Sequence, residues 1–192
     1  MVYQFVRFVV RMYLHLRFRV KIEGVNNIPA EGCILAMNHQ SNYDSLMVGV
    51  HTPRKMFIMA KEELFKNRFF AWLITEMGSF PVKRGSADLK SLKHTLKLIK
   101  EGNIFSIFIE GTRSQTGEMQ EPKKGIGFIV DKSKAPVIPT YIYGVKGGWG
   151  SPAGVIFGSP VSIEGLTDYE EIAAKVASSI EELKQSVLSR GV

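Results

Sequence analysis

Cys33-Ile34-Leu35-Ala36-Met37 runs directly into Asn38-His39-Gln40-Ser41-Asn42-Tyr43-Asp44, and the reading of the fold turns on this junction. Five apolar residues are too few for a helix and predict a short buried strand. The polar stretch after them predicts a loop that enters a helix from about Ser45. The same pattern recurs at Ile104–Ile109, a β-prone run that ends in Glu110-Gly111-Thr112-Arg113-Ser114. Sheets flanked by helices place their ligands just beyond the carboxyl ends of strands, so both junctions mark candidate sites.

Working outward, Phe18–Glu23 alternates at period two and reads as a strand closed by Gly24. Phe57–Ala60, Phe80–Val82, Val137–Tyr141 and Val155–Phe157 read as further strands. Phe69–Met77 is helical in pattern. A clearer helix carries Leu89, Leu92, Leu96 and Ile99 at steps of three and four, opened by Ser86 and stopped by Gly102. Thr167 and Glu170 make a capping-box pattern for a last helix with the stripe Ile172, Val176, Ile180, Leu183 and Val187. Strands alternating with helices predict an α/β fold, a mixed and mostly parallel sheet flanked by helices. Residues 1–20 separate as an N-terminal amphipathic helix, and residues 21–192 form one domain.

In that first segment Gln4, Arg7, Arg11 and His15 fall on one narrow polar stripe, and the remaining surface is apolar and aromatic. Two readings fit: a helix lying in a bilayer interface with arginines among anionic headgroups, or a core-packing helix with snorkelling arginines. No run of about 18 uncharged apolar residues occurs, which argues against a spanning helix. The interrupting arginines and the lack of a small-residue cleavage site argue against a signal peptide.

The chain has 192 residues, 45% of them hydrophobic, enough for one domain with its own core. Lys and Arg number 25 against 18 Asp and Glu, a formal charge of +7 that favours an anionic partner. No RNA-recognition signature, zinc-finger spacing or basic zipper is present, so nucleic acid is not expected. A single cysteine, Cys33, can form neither an internal disulfide nor a cysteine-based zinc site, and suits a reducing, cytosolic compartment. His15, His39, His51 and His94 show no metal-ligand spacing, so no metal is expected.

His39 and Asp44 can pair across the start of a helix. The carboxylate would keep one ring nitrogen protonated and leave the other free to accept a proton. Taken alone the spacing fits a hydrogen-bonded structural histidine better than a catalytic pair. No Gly-x-Ser-x-Gly elbow supplies a nucleophile, so such a base would act directly on a substrate hydroxyl. In the second cluster Gly111 permits a tight turn, Arg113 offers a planar donor fork for phosphate, and Glu110 could accept from a hydroxyl.

Together these segments resemble the 1-acylglycerol-3-phosphate acyltransferase family of glycerolipid acyltransferases. Asn38 through Asp44 matches its Asn-His-x-Ser-x-x-Asp signature, and Phe108 through Ser114 matches its Phe-x-Glu-Gly-Thr-Arg-Ser block. Lys61–Phe65 followed by Gly78–Arg84 resembles the block between them. Lys123-Lys124-Gly125 and Val137-Ile138-Pro139 resemble those after. Where the family often has a proline after Lys-x-x-Leu-Phe, this chain has Lys66-Asn67-Arg68.

The resemblance implies an acyltransferase domain over residues 21–192. It would move a fatty acyl group from acyl-CoA or acyl-carrier protein to the sn-2 hydroxyl of 1-acylglycerol 3-phosphate, giving phosphatidate. His39 would be the general base and Asp44 its support. Glu110, Gly111, Thr112 and Arg113 would position the acceptor, with Lys61, Arg84 and Lys124 as further cationic contacts. Lys61 and Arg84 also fit plain surface charge. The donor is a co-substrate, and no cofactor is implied. Three alternatives stay open: the same chemistry on glycerol 3-phosphate or a lysophospholipid, a non-catalytic phospholipid-binding adaptor, and hydrolysis of the thioester or lipid with water in place of the acceptor alcohol. With only the first twenty residues as an anchor, the expected place is peripheral, on the cytoplasmic face of the membrane. Lys90, Lys93, Lys97 and Lys100 form a stripe that is either a solvated face or a dock for an acidic carrier protein or anionic lipid.

Overall fold

A computed structural model describes residues 1–83 and 88–191. Among them, seven strands form one sheet: β1 (Phe18–Glu23), β2 (Cys33–Met37), β3 (Met56–Lys61), β4 (Ser79–Val82), β5 (Ile104–Phe108), β6 (Val137–Tyr143) and β7 (Ser151–Phe157). The helices are α1 (Val2–Arg17), α2 (Tyr43–Gly49), α3 (Arg68–Glu76), α4 (Leu89–Lys100), α5 (Gly125–Ser133) and α6 (Tyr169–Leu188). The strand order is β1-β7-β6-β2-β5-β3-β4, with every pair parallel except β6 with β7. The expected mixed, mostly parallel α/β sheet is what forms, with α1 and α2 on one face and α4, α5 and α6 on the other.

β2 lies at the centre and all five of its residues are buried. Cys33, Leu35 and Met37 enter the core on the α2 face, while Ile34 and Ala36 enter the opposite one. A continuous apolar run is what a strand covered on both faces requires. Burial pushes the Cys33 thiol up to about 11, as expected of apolar filler. From β2 the chain continues through α2 to β3 on one side. From the adjacent β5 it continues through α5 to β6 on the other side and on the opposite face. The carboxyl ends of β2 and β5 therefore flank a topological switch point, where such sheets open a crevice.

Several local expectations are corrected. Asp88 caps α4, accepting from the Ser91 amide at 3.0 Å, whereas Ser86 lies outside the described residues. The buried face of α4 is Ser91, Thr95, Leu98 and Ile99, and Leu89 is exposed. Asp168, not Thr167, caps α6 by accepting from the amides of Glu170 and Glu171. The lysine stripe of α4 is solvent-exposed along its whole length.

α1 docks through part of its polar side. Arg7 donates to the Val50 and Thr52 carbonyls at 3.1 and 2.5 Å, and Arg17 donates to the Gly147 carbonyl at 2.7 Å. Arg7 is thus turned onto the domain and not out toward headgroups, while Gln4 and Arg11 remain exposed. The outward ridge is apolar: Phe5, Phe8, Val9, Met12 and Leu16 all stand in solvent, Phe5 at 69% and Leu16 at 72% exposure.

The same contact carries a pH dependence. His51 Nδ1 can only donate to the Met47 carbonyl, 2.7 Å away, so its neutral Nε2 accepts from His15 Nε2 at 3.2 Å. Burial holds His51 below the ordinary histidine value; the Met47 hydrogen bond opposes this, and Arg11, His15 and Arg7 on α1 add to it. When α1 is released, His51 returns toward about 6.5, so the loosened state binds more protons. Docking is therefore fully present above that value and is lost as pH falls through it toward the folded value. Acidifying from about pH 7.5 to about pH 5 is expected to lower the thermal midpoint, and His51→Gln to flatten that dependence. A wild-type midpoint that does not respond to pH would discard the account.

Candidate active site

At the end of β2, Asn38 faces inward and ties the strand to β6. Its side-chain amide donates to the Ile142 carbonyl at 2.9 Å and accepts from the Ile142 amide at 2.7 Å. With Asn38 pinned, His39 projects from the strand end into the loop. Asp44 lies in the first turn of α2, fully buried, where the helix dipole favours a carboxylate. Its Oδ2 accepts from His39 Nδ1 at 2.8 Å, from the Gln40 amide at 2.6 Å and from the Ser41 amide at 2.7 Å. Because Nδ1 carries the proton, the neutral ring presents its Nε2 lone pair as acceptor. The Phe108 ring stacks on the imidazole, centroids 3.7 Å apart and planes 13° from parallel. That fixes the ring plane, and the aromatic face favours the cation formed when Nε2 takes a proton.

The loop after β5 closes over this pair. Gly111 turns it, with φ +71° and its amide bonded to the Phe108 carbonyl at 3.1 Å. The Ser114 amide donates to the His39 carbonyl at 2.9 Å. Glu110 sends Oε1 to the His39 amide at 2.7 Å and Oε2 to the Gln120 amide at 2.9 Å, and is 1% exposed. Its carboxylate is thus committed to backbone amides, in place of the hydroxyl that the sequence suggested. Arg113 reaches across to Asn42 Oδ1 at 3.0 Å and is exposed, leaving donors toward solvent. Thr112 Oγ1 meets Gln120 Oε1 at 3.3 Å.

His39, Asp44, Glu110, Gly111 and Arg113 are therefore gathered into one connected loop pair, although 71 positions separate Arg113 from Asn42. Lys61 ends β3 at the same sheet end, and Lys124 precedes the first turn of α5, both exposed. Neither has an ion-pair partner among the described residues. Arg84 lies outside the described residues. Phe108, Asn38 and Gln120 contribute to the geometry without having been singled out for a role. Asn38 and Phe108 each left a trace, as the first residue of a matched block, whereas Gln120 left none. Among the described residues no group of three or more His, Cys, Asp or Glu side chains is arranged so that it could hold a metal ion.

Known proteins resemble this chain in sequence and in fold. Residues 19–143 match the family model described as Acyltransferase. The chain is 35% identical over 148 residues to the 1-acyl-sn-glycerol-3-phosphate acyltransferase of Bacillus subtilis, covering 76% of this chain and 73% of that one. It is 26% identical to a chloroplastic 1-acyl-sn-glycerol-3-phosphate acyltransferase of Arabidopsis thaliana, covering 89% of this chain but 46% of the plant protein. The crystal structure of the 1-acyl-sn-glycerophosphate (LPA) acyltransferase PlsC from Thermotoga maritima superposes with a TM-score of 0.77 at 28% identity. That match covers 95% of this chain and 81% of the other.

Proposed function

Since the chain belongs to the acyltransferase family, we propose that it transfers a fatty acyl group from acyl-CoA or acyl-carrier protein to the sn-2 hydroxyl of 1-acylglycerol 3-phosphate, giving phosphatidate. The observation that carries this reading is the His39–Asp44 pair, whose 2.8 Å hydrogen bond engages Nδ1 and leaves Nε2 as the ring's acceptor at the carboxyl end of β2. Nε2 removes the acceptor's hydroxyl proton as the oxygen attacks the thioester carbonyl. The tetrahedral intermediate then expels the thiolate, which recovers that proton from the imidazolium. No acyl-enzyme is formed, and no cofactor takes part.

Arg113 is the reading's phosphate contact. A planar fork with one arm held by Asn42 presents its other donors to a dianion without losing much rotamer freedom. Charge-assisted hydrogen bonds contribute about 1.5–3 kcal/mol each. Arg113→Ala is therefore expected to raise the acceptor KM roughly 10- to 100-fold with a smaller change in kcat. An unchanged KM would remove Arg113 from the acceptor site.

The acceptor is a membrane lipid, and the exposed ridge of α1 supports docking on an anionic bilayer surface, at its cytoplasmic face. Among the described residues no helix is long and apolar enough to cross a membrane. Burying a Phe, Met or Leu side chain contributes about 1.5–3 kcal/mol, against about 1 kcal/mol for each cation near an anionic surface. Phe5, Phe8, Met12 and Leu16 therefore outweigh Arg11 in this docking. The function is tested by supplying purified protein with labelled 1-acylglycerol 3-phosphate and either acyl-CoA or acyl-carrier protein. Phosphatidate is the expected product. Transfer only to glycerol 3-phosphate or a lysophospholipid would move the acceptor, and lipid binding without transfer would make the chain an adaptor. The donor arms distinguish the carriers, with the exposed lysine stripe of α4 as the surface an acidic carrier would meet.

A further inference from the structure

Trp149 is 71% exposed on a glycine-rich loop, Gly147-Gly148-Trp149-Gly150, between β6 and β7. β1 and β7 run opposite to β2, so this loop and the first residue of β1 lie at the sheet end that carries His39. The loop is held from two sides. On one side the Arg17 guanidinium lies 5.2 Å from the Trp149 ring and 4.5 Å from that of Phe18. Arg17 also donates to the Gly147 carbonyl, and its own carbonyl accepts from the Gly150 amide at 3.0 Å. The Tyr13 ring meets Trp149 edge-on at 6.4 Å. On the other side Lys146 Nζ donates to the Ser114 carbonyl at 3.2 Å, and the Ser114 amide holds the His39 carbonyl at 2.9 Å.

We propose that Trp149 seats at the headgroup level of an anionic bilayer as one continuous surface with α1, so that the loop ties membrane docking to the loop that carries Arg113. The assignment rests on the lipid-acceptor reading above, and three observations select a bilayer as the occupant. The exposed residues Tyr13 and Leu16 extend the α1 ridge up to Trp149. An exposed indole flanked by Arg17 and Lys146 pairs an aromatic with cations, as at membrane–water interfaces. The surface also lies at the end of the sheet where an acceptor lipid must reach His39.

The two tryptophans, Trp72 and Trp149, make the test direct. Trp72→Phe leaves Trp149 as the only indole. On adding phosphatidylcholine–phosphatidylglycerol vesicles, its emission is expected to shift to shorter wavelength and to be quenched by brominated acyl chains. Trp149→Ala is expected to weaken vesicle partitioning roughly tenfold with an unchanged thermal midpoint. Protein that sediments with vesicles while Trp149 stays open to an aqueous quencher would overturn the loop's role and leave α1 docking intact. A shift that follows protein concentration without lipid would assign the surface to a second copy of the chain and overturn the proposal. Transfer to detergent-dispersed acceptor is measured on the same preparation: activity there, with no Trp149 response to vesicles, sinks this inference alone.

Discussion

His39→Ala is expected to lower the turnover of acyl transfer about 10³- to 10⁴-fold while leaving acceptor KM within about twofold. The size follows from what the side chain supplies. An alcohol is a poor nucleophile at neutral pH, and among the described residues His39 is the base that the buried Asp44 orients, through Nδ1 at 2.8 Å. The substitution removes a ring that is 13% exposed and stacked on Phe108, so some packing is lost, yet the backbone bonds from His39 to Glu110 and Ser114 are untouched. Asp44→Asn separates orientation from charge. The amide oxygen can still accept from the Gln40 and Ser41 amides, but the imidazolium formed in the reaction loses its counter-charge, at a cost of about 10²- to 10⁴-fold in kcat. Initial rates with both substrates varied would check both, and a His39→Ala enzyme that turned over near the wild-type rate would end the base assignment.

Much of this arrangement was legible because it is written in local pattern. The unbroken apolar run of β2 announces a strand covered on both faces, and each polar cluster begins where its strand stops. What stayed hidden depends on contacts between distant segments. α5 was not foreseen because Gly125 and Gly127 depress helix propensity. At Gly127 a Cβ would stand 2.0 Å from the Tyr169 carbonyl, so the glycine serves the close approach of α6. The face of α4 was rotated from its leucine spacing because Ser91 and Thr95 bury their hydroxyls against the Pro81 and Ser91 carbonyls. A hydropathy pattern counts such residues as solvent-facing. Period-two alternation in β1 likewise says nothing of its partner or direction. That β1 pairs with β7, and so brings Arg17 to the site end, is a property of the assembled sheet.

Glu110 shows the same limit at the site itself, and its replacement is expected to have the second large effect. Its place in the motif suggested a contact with the acceptor, but both oxygens are spent on the amides of His39 and Gln120, and 1% exposure leaves no surface for a ligand. Glu110→Ala would leave two part-buried amides, those of His39 and Gln120, without their acceptor, each at up to about 1–3 kcal/mol, within a total stability of about 5–15 kcal/mol. The thermal midpoint is expected to fall by roughly 5–20 °C. In protein kept folded at low temperature, kcat should drop at least tenfold with acceptor KM little changed, because the His39 backbone has lost its anchor while Arg113 remains. A residue that bound the acceptor would give the reverse: raised KM and an unmoved midpoint. Glu110→Gln sharpens the distinction, since its amide can accept from one backbone N–H but must set a donor against the other. The His39 amide goes to Glu110 while the His39 carbonyl takes the Ser114 amide, so one loop grips the base residue's peptide on both edges. Two sequence blocks that lie far apart in the chain act as one unit because neither can hold its geometry without the other.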